Sequence, residues 1–168
     1  EGLVFTRWQV APFDTPSNAT IRFGADWGFA QDPTVLVRAW IGRFEQGKAI
    51  ADDHGRHLFV DFEAWEVGCE IDKTPDLFAQ VPGSARWTIT ADSARPETVS
   101  YMRRNGYPKI APAVKGPGSV EDGVEWLRGF DIVVHPRCEN VIRELARYAW
   151  EIDDHTGKPT SKLADKDN

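Results

Sequence analysis

A chain of 168 residues, 41% of them hydrophobic, buries one good core and hardly two, so a single domain over residues 1–168 is expected. No run approaches the ~18 apolar residues of a membrane helix, and Glu1-Gly2-Leu3-Val4-Phe5 has no basic region ahead of an apolar core, so neither a membrane span nor a secretion signal is read. The formal charge of −6 argues against a lysine-coated surface for non-specific DNA binding, but acidic sites that hold divalent metals carry the same deficit, so nucleic acid stays open as a partner.

The first residue is not Met and the opening is already strand-like, which reads as a piece of a longer polypeptide. Pro12 to Ala19 is a polar, turn-rich lead-in. Ile21 to Ala25 is a short apolar strand, followed by breaker-rich Gly28 to Pro33 and a β-branched and aromatic strand from Thr34 to Phe44 ahead of a Gln46-Gly47 turn. His57 to Val67 alternates around Leu58, Val60, Phe62 and Trp65 and supplies the third strand of an antiparallel meander. The rhythm then changes. Pro75 to Val81 predicts a short helix, Trp87 to Ala91 a buried strand, and Pro96 to Asn105 a helix stopped by Gly106. Lys109 to Val114, a helix from Val120 to Arg128 with Ser119 as its cap, strand Ile132 to His135 and a helix from Glu139 to Trp150 follow, with a polar tail from Asp153 to Asn168. The expected class is α/β: an antiparallel three-strand meander followed by parallel strands, in a mixed sheet flanked by helices.

Two aspartates stand where strands give way to polar loops. Asp26 ends the first strand and Asp92 ends Trp87-Thr88-Ile89-Thr90-Ala91. Carboxylates on two strand ends can converge, and hard cations such as Mg²⁺ or Mn²⁺ take oxygen ligands for phosphodiester chemistry. Aspartate is also a common turn and cap residue, so pattern alone leaves both readings open.

Other motifs are weaker. Gly42-Arg43-Phe44-Glu45-Gln46-Gly47-Lys48-Ala49 has the glycine and lysine spacing of a phosphate-binding P-loop, but Ala49 stands where Ser or Thr must hold Mg²⁺, and a hairpin replaces the strand-to-helix link. Cys69 and Cys138 form neither a disulfide framework nor a CxxC pair, which favours a reducing, cytoplasmic compartment. His54 and His57 are placed in a loop and His135 after a strand, with no cysteines completing a zinc site. Trp27, Trp65, Trp87, Trp126 and Trp150 read as core rather than base-stacking residues.

Longer segments carry a family resemblance. Phe23-Gly24-Ala25-Asp26-Trp27-Gly28-Phe29-Ala30-Gln31-Asp32-Pro33 resembles the first acidic motif of phage terminase large-subunit nucleases, and Ala91-Asp92-Ser93-Ala94-Arg95-Pro96-Glu97-Thr98 resembles their second. Lys115-Gly116-Pro117-Gly118-Ser119-Val120-Glu121-Asp122-Gly123 and Val134-His135-Pro136-Arg137-Cys138 are similar to later family segments, in the same order. The resemblance implies a ribonuclease H-like fold, with Asp26 and Asp92 as catalytic ligands of two Mg²⁺ or Mn²⁺ ions. It also implies Arg95 and Lys115 as DNA-phosphate contacts. The implied activity is cleavage of concatemeric double-stranded viral DNA during packaging, in the cytoplasm of the infected bacterial host. Residues 1–20 would then lead in from an upstream ATPase domain, with the portal protein and the small terminase subunit as partners. The family pattern continues past Asp165-Lys166-Asp167-Asn168 to a further acid, so the third metal ligand is expected as Asp165, Asp167 or a residue beyond Asn168. A non-catalytic DNA- or portal-binding module on the same fold is the alternative. An actin-like ATPase is weaker, because its second Asp-x-Gly would have to be the loop triplet Asp53-His54-Gly55.

Overall fold

The computed structural model describes residues 2–28, 30–148, 150–152, 154–156 and 158–163. Eight strands form one mixed sheet in the order β1 (Trp8–Val10), β8 (Asp131–Val134), β5 (His57–Val67), β3 (Pro33–Glu45), β2 (Arg22–Asp26), β6 (Ile89–Ala91) and β7 (Ile110–Pro112), with β4 (Lys48–Ala51) attached to β3. β3 pairs antiparallel with β2, β4 and β5, whereas β2–β6, β6–β7, β5–β8 and β1–β8 are parallel. The expected meander followed by parallel strands is therefore the observed architecture.

Alternation along β3 sends successive side chains to opposite faces. Leu36 joins Phe23, Ala64, Ile89 and Ile110 under helices α1 (Thr74–Phe78) and α2 (Pro96–Arg104), through Phe78 and Met102. Its neighbour Val37 lies on the other face with Val60 and Val134, packed against α3 (Ser119–Arg128) and α4 (Glu139–Arg147). Burial of each of the largest side chains, Trp40 and Phe59 among them, is worth about 2 to 3 kcal/mol.

Several elements differ from the sequence reading, each for a tertiary reason. Within the polar, turn-rich segment Pro12 to Ala19, Phe13 and Ala19 are buried, and ahead of it β1 extends the sheet. Ser119 does not cap α3; Gly118 does, in the left-handed region at φ 75°, and Ser119 is the first helical residue. Helix α4 stops at Arg147 because Tyr148 turns extended and its carbonyl accepts from the Val4 amide at 2.9 Å. Trp150 therefore begins a strand, β9 (Trp150–Ile152), which pairs antiparallel with β10 (Pro159–Leu163) inside the expected polar tail. Backbone pairing of this kind needs no apolar alternation to announce it. Trp87 and Trp126 are exposed, at 37% and 50%, and His57 opens β5 instead of lying in a loop. The P-loop-like segment is the β3–β4 hairpin, with Glu45 opposite Lys48 and both Gln46 and Gly47 at positive φ, as a two-residue hairpin turn requires. Asp53-His54-Gly55 falls in the β4–β5 turn, beside Gly42 and away from the Asp26 end of β3.

Candidate metal centre

Parallel pairing of β2 with β6 puts Ala25 opposite Ala91, and the Asp92 amide then donates to the Ala25 carbonyl at 3.0 Å. The next residue on each strand is the aspartate. Asp26 and Asp92 thus stand side by side at the carboxyl edge of two adjacent strands, where ligand sites of open α/β sheets commonly form. They border an open cavity of about 400 Å³, lined also by Gly24, Val35, Val37 and Thr90. Helices α3 and α4 cover the β5–β8 half of this face and leave the β2–β6 half accessible.

Local structure holds both loops. The Trp27 indole donates to the Asp92 carbonyl at 2.9 Å and stacks on Phe78, with ring centroids 5.9 Å apart. At Gly28 the chain folds back on itself. A Cβ there would lie 2.2 Å from the Asp32 carbonyl oxygen, and the Gly28 amide donates to Thr34 Oγ1 at 3.0 Å. Glycine follows Asp26 by two residues because of this close approach.

The electrostatics are those of two acids sharing one site. Asp26 is held above the usual carboxylate range, first by partial withdrawal from water and next by the charge and hydrogen bond of Asp92. Asp92 moves the other way. Its own desolvation opposes the change, but hydrogen bonds from Lys115 and the Ala94 amide outweigh it. Asp92 Oδ1 accepts from Ala94 N at 2.7 Å and from Lys115 Nζ at 2.8 Å. Two converging carboxylates, one of them already drawing an ammonium ion, are the hard-oxygen donor set that suits Mg²⁺ or Mn²⁺. Among the described residues no group of three or more His, Cys, Asp or Glu side chains gathers as a metal site.

Of the residues singled out from sequence, the fold unites Asp26, Asp92 and Lys115. Arg95 is the N-cap of α2, where its carbonyl accepts from the Thr98 and Val99 amides. Arg103, on the same helix, donates Nε to the Ile110 carbonyl at 3.0 Å and ties α2 to β7. Asp165 and Asp167 lie outside the described residues.

A second charged cluster escaped the sequence reading. Asp61 is 1% exposed; its Oδ2 accepts from Thr15 Oγ1 at 2.6 Å and pairs with Arg38 at 3.1 Å. The ladder between β3 and β5 slips here, from Arg38 opposite Phe62 to Ala39 opposite Val60, so Asp61 is the inserted bulge residue. A lone aspartate amid buried Leu58, Phe59 and Val60 was the available signal.

The family described as Terminase RNAseH like domain matches residues 69–168. The chain belongs to that family. The terminase large subunit of Bacillus phage SPP1 is 34% identical over 172 positions, covering all of this chain and 36% of that protein, so the chain spans about a third of this relative's length. The nuclease domain of the large terminase of bacteriophage SPP1, solved with bound Mn, superposes with a TM-score of 0.77 and 28% identity over 98% of this chain and 90% of that one. The large terminase nuclease of thermophilic phage G20c, solved with bound magnesium, shares the fold at a TM-score of 0.63 and 16% identity, over 98% and 89% of the two chains. The chain therefore has the ribonuclease H-like fold of terminase nuclease domains, and among the described residues no helix is long and apolar enough to cross a membrane.

Proposed function

We propose that this chain is a divalent-metal-dependent endonuclease domain that cuts concatemeric double-stranded viral DNA during genome packaging. One observation carries the reading: Asp26 and Asp92, ending neighbouring parallel strands, face each other across a single open site. The Mn-bound SPP1 nuclease domain supports it. A pair of divalent ions supplies Lewis acidity that activates water and neutralises charge on the leaving oxygen. Asp26 would hold both ions and Asp92 one. The third acid would be Asp165, Asp167 or a residue beyond Asn168. Lys115 and Arg95 would hold the DNA backbone by contacts to phosphate, which position the duplex without reading its sequence.

Residues 1–168 would act as one nuclease domain, its first 20 residues leading in from an ATPase domain. It would work with the portal protein and the small terminase subunit in the cytoplasm of the infected bacterial host.

A second reading rests on the two-carboxylate count among the described residues: a module that keeps the fold and grips DNA or the portal without cutting. Supercoiled-plasmid cleavage with Mn²⁺, Mg²⁺ or chelator separates the two. Nicking that needs metal and disappears in Asp26→Asn plus Asp92→Asn supports the nuclease. Nicking that survives chelator or the double variant sinks it, and DNA binding without cleavage in this chain and in a C-terminally extended one favours the module.

A further inference from the structure

The contact between Lys115 and Asp92 joins a loop to the proposed metal centre. One lone pair of Asp92 Oδ1 is taken by the Ala94 amide, two residues further along the chain; the other is taken by Lys115 Nζ. An oxygen so occupied has no direction left for a metal ion. The loop that carries Lys115 is anchored just before it, where the Ala113 amide donates to the Ala91 carbonyl at 2.7 Å. Beyond that anchor its ties are local, the Ser119 amide donating to the Gly116 carbonyl at 3.1 Å and the Asp122 amide to the Gly118 carbonyl at 2.9 Å. Val114 is 98% exposed, and ideal Cβ positions at Gly116 and Gly118 meet nothing within 4 Å. The Lys115 side chain is itself 48% exposed, so its ammonium can swing into water or onto a phosphate without disturbing the core.

We infer that Lys115 is a placeholder cation: its ammonium occupies the coordination direction of Asp92 Oδ1 until a divalent ion displaces it, and the released ammonium then engages the DNA phosphate. The inference rests on the nuclease reading of Asp26 and Asp92. Lys115 keeps the paired carboxylates from carrying an unbalanced charge while the site is metal-free, and couples metal entry to the readiness of a phosphate-binding group. In this role it is a positioning residue that opposes metal binding and favours DNA.

The test is Mn²⁺ affinity, read from the loss of the free-ion signal in electron paramagnetic resonance at low ionic strength. The proteins are the chain itself, Lys115→Met, Lys115→Arg and Lys109→Met. Lys109 is exposed ahead of β7, so its variant removes the same charge without touching Asp92. Lys115→Met is expected to bind Mn²⁺ about two- to fivefold more tightly, the scale of one partly exposed ion pair, with Lys109→Met and Lys115→Arg close to the parent. Affinity for duplex DNA in Ca²⁺ should fall in Lys115→Met by a similar factor. Equal gains in Lys115→Met and Lys109→Met would reduce the effect to long-range charge and overturn the inference, as would unchanged Mn²⁺ affinity in Lys115→Met. Mn²⁺ affinity in the parent that is indifferent to Asp92→Asn would instead overturn the metal-site reading, and the placeholder with it.

Discussion

The indole of Trp27 reaches across from the β2 loop to donate to the backbone carbonyl of Asp92, 2.9 Å away, while its ring lies flat on Phe78. One side chain thereby fixes the spacing of the two loops that bear the acids. Trp27→Phe keeps a stacking ring and deletes the donor. We expect a loss of about 1 kcal/mol in urea denaturation, the worth of one such bond, together with weaker Mn²⁺ binding. Unchanged metal affinity in a measurably destabilised variant would separate the loop tie from the site.

Asp26 gives a pH prediction with a definite sign. Its folded pKa lies above the unfolded value, so the folded state disfavours its ionised form. The resulting penalty is absent below the unfolded pKa of about 4, grows as pH rises toward the folded pKa, and is complete above it. Without metal, Asp26→Asn should therefore raise the melting temperature at pH 7, by the equivalent of less than ~1 kcal/mol given the solvent around the site, and the gain should shrink on acidification. Metal binding should vanish in the same protein. A variant less stable than the parent at pH 7 would contradict the strained-pair picture.

Asp61 and Arg38 are expected to behave as a buried pair. Burial pushes the Asp61 carboxyl up, against the Thr15 hydrogen bond and the Arg38 charge that pull it down. Asp61→Ala leaves Arg38, 12% exposed, without its counter-charge and should cost about 3 kcal/mol in chemical denaturation. Arg38→Met with Asp61→Leu should recover most of that loss.

Glu63 caps a helix from a strand. Its carboxylate accepts from the Asn140 amide at 3.2 Å, the Val141 amide at 2.9 Å and Asn140 Nδ2 at 2.6 Å, all at the start of α4. Glu63→Ala should lower stability by about 1 to 2 kcal/mol, and amide exchange should rise in α4 ahead of the sheet.

The two thiols should report folding separately. Cys138 is fully buried and its thiol is pushed up to about 12, chiefly by burial and then by the charges of Glu63 and Asp61, whereas Cys69 is half-buried. Ellman's reagent should label one thiol in the native protein, Cys69, and Cys138 only on unfolding. Two rapidly labelled thiols would refute this packing.

What the sequence determined by itself was the order of elements from β2 to α4, β4 apart, and the place of two aspartates at strand ends. Short-range signals were enough: alternation in Thr34 to Phe44, the Gln46-Gly47 turn, Pro96 opening a helix, and aspartates where apolar runs stop. The long motifs around Asp26 and Asp92 carried the family as well. Alternation around Leu58, Val60, Phe62 and Trp65 does not carry over to burial, because Leu58, Phe59, Val60 and Asp61 are buried in succession where both faces of β5 are covered. Pro12 to Ala19 reads as polar and turn-rich, yet Phe13 and Ala19 are buried, because their partners Trp40, Phe59 and Val133 come from strands distant in sequence. Only the tertiary structure decided that Asp26 and Asp92 share one site, that Lys115 closes on it, and that Asp61 meets Arg38 inside a bulge. These are contacts between chain segments distant in sequence, set by strand register and loop closure, and no local pattern encodes them.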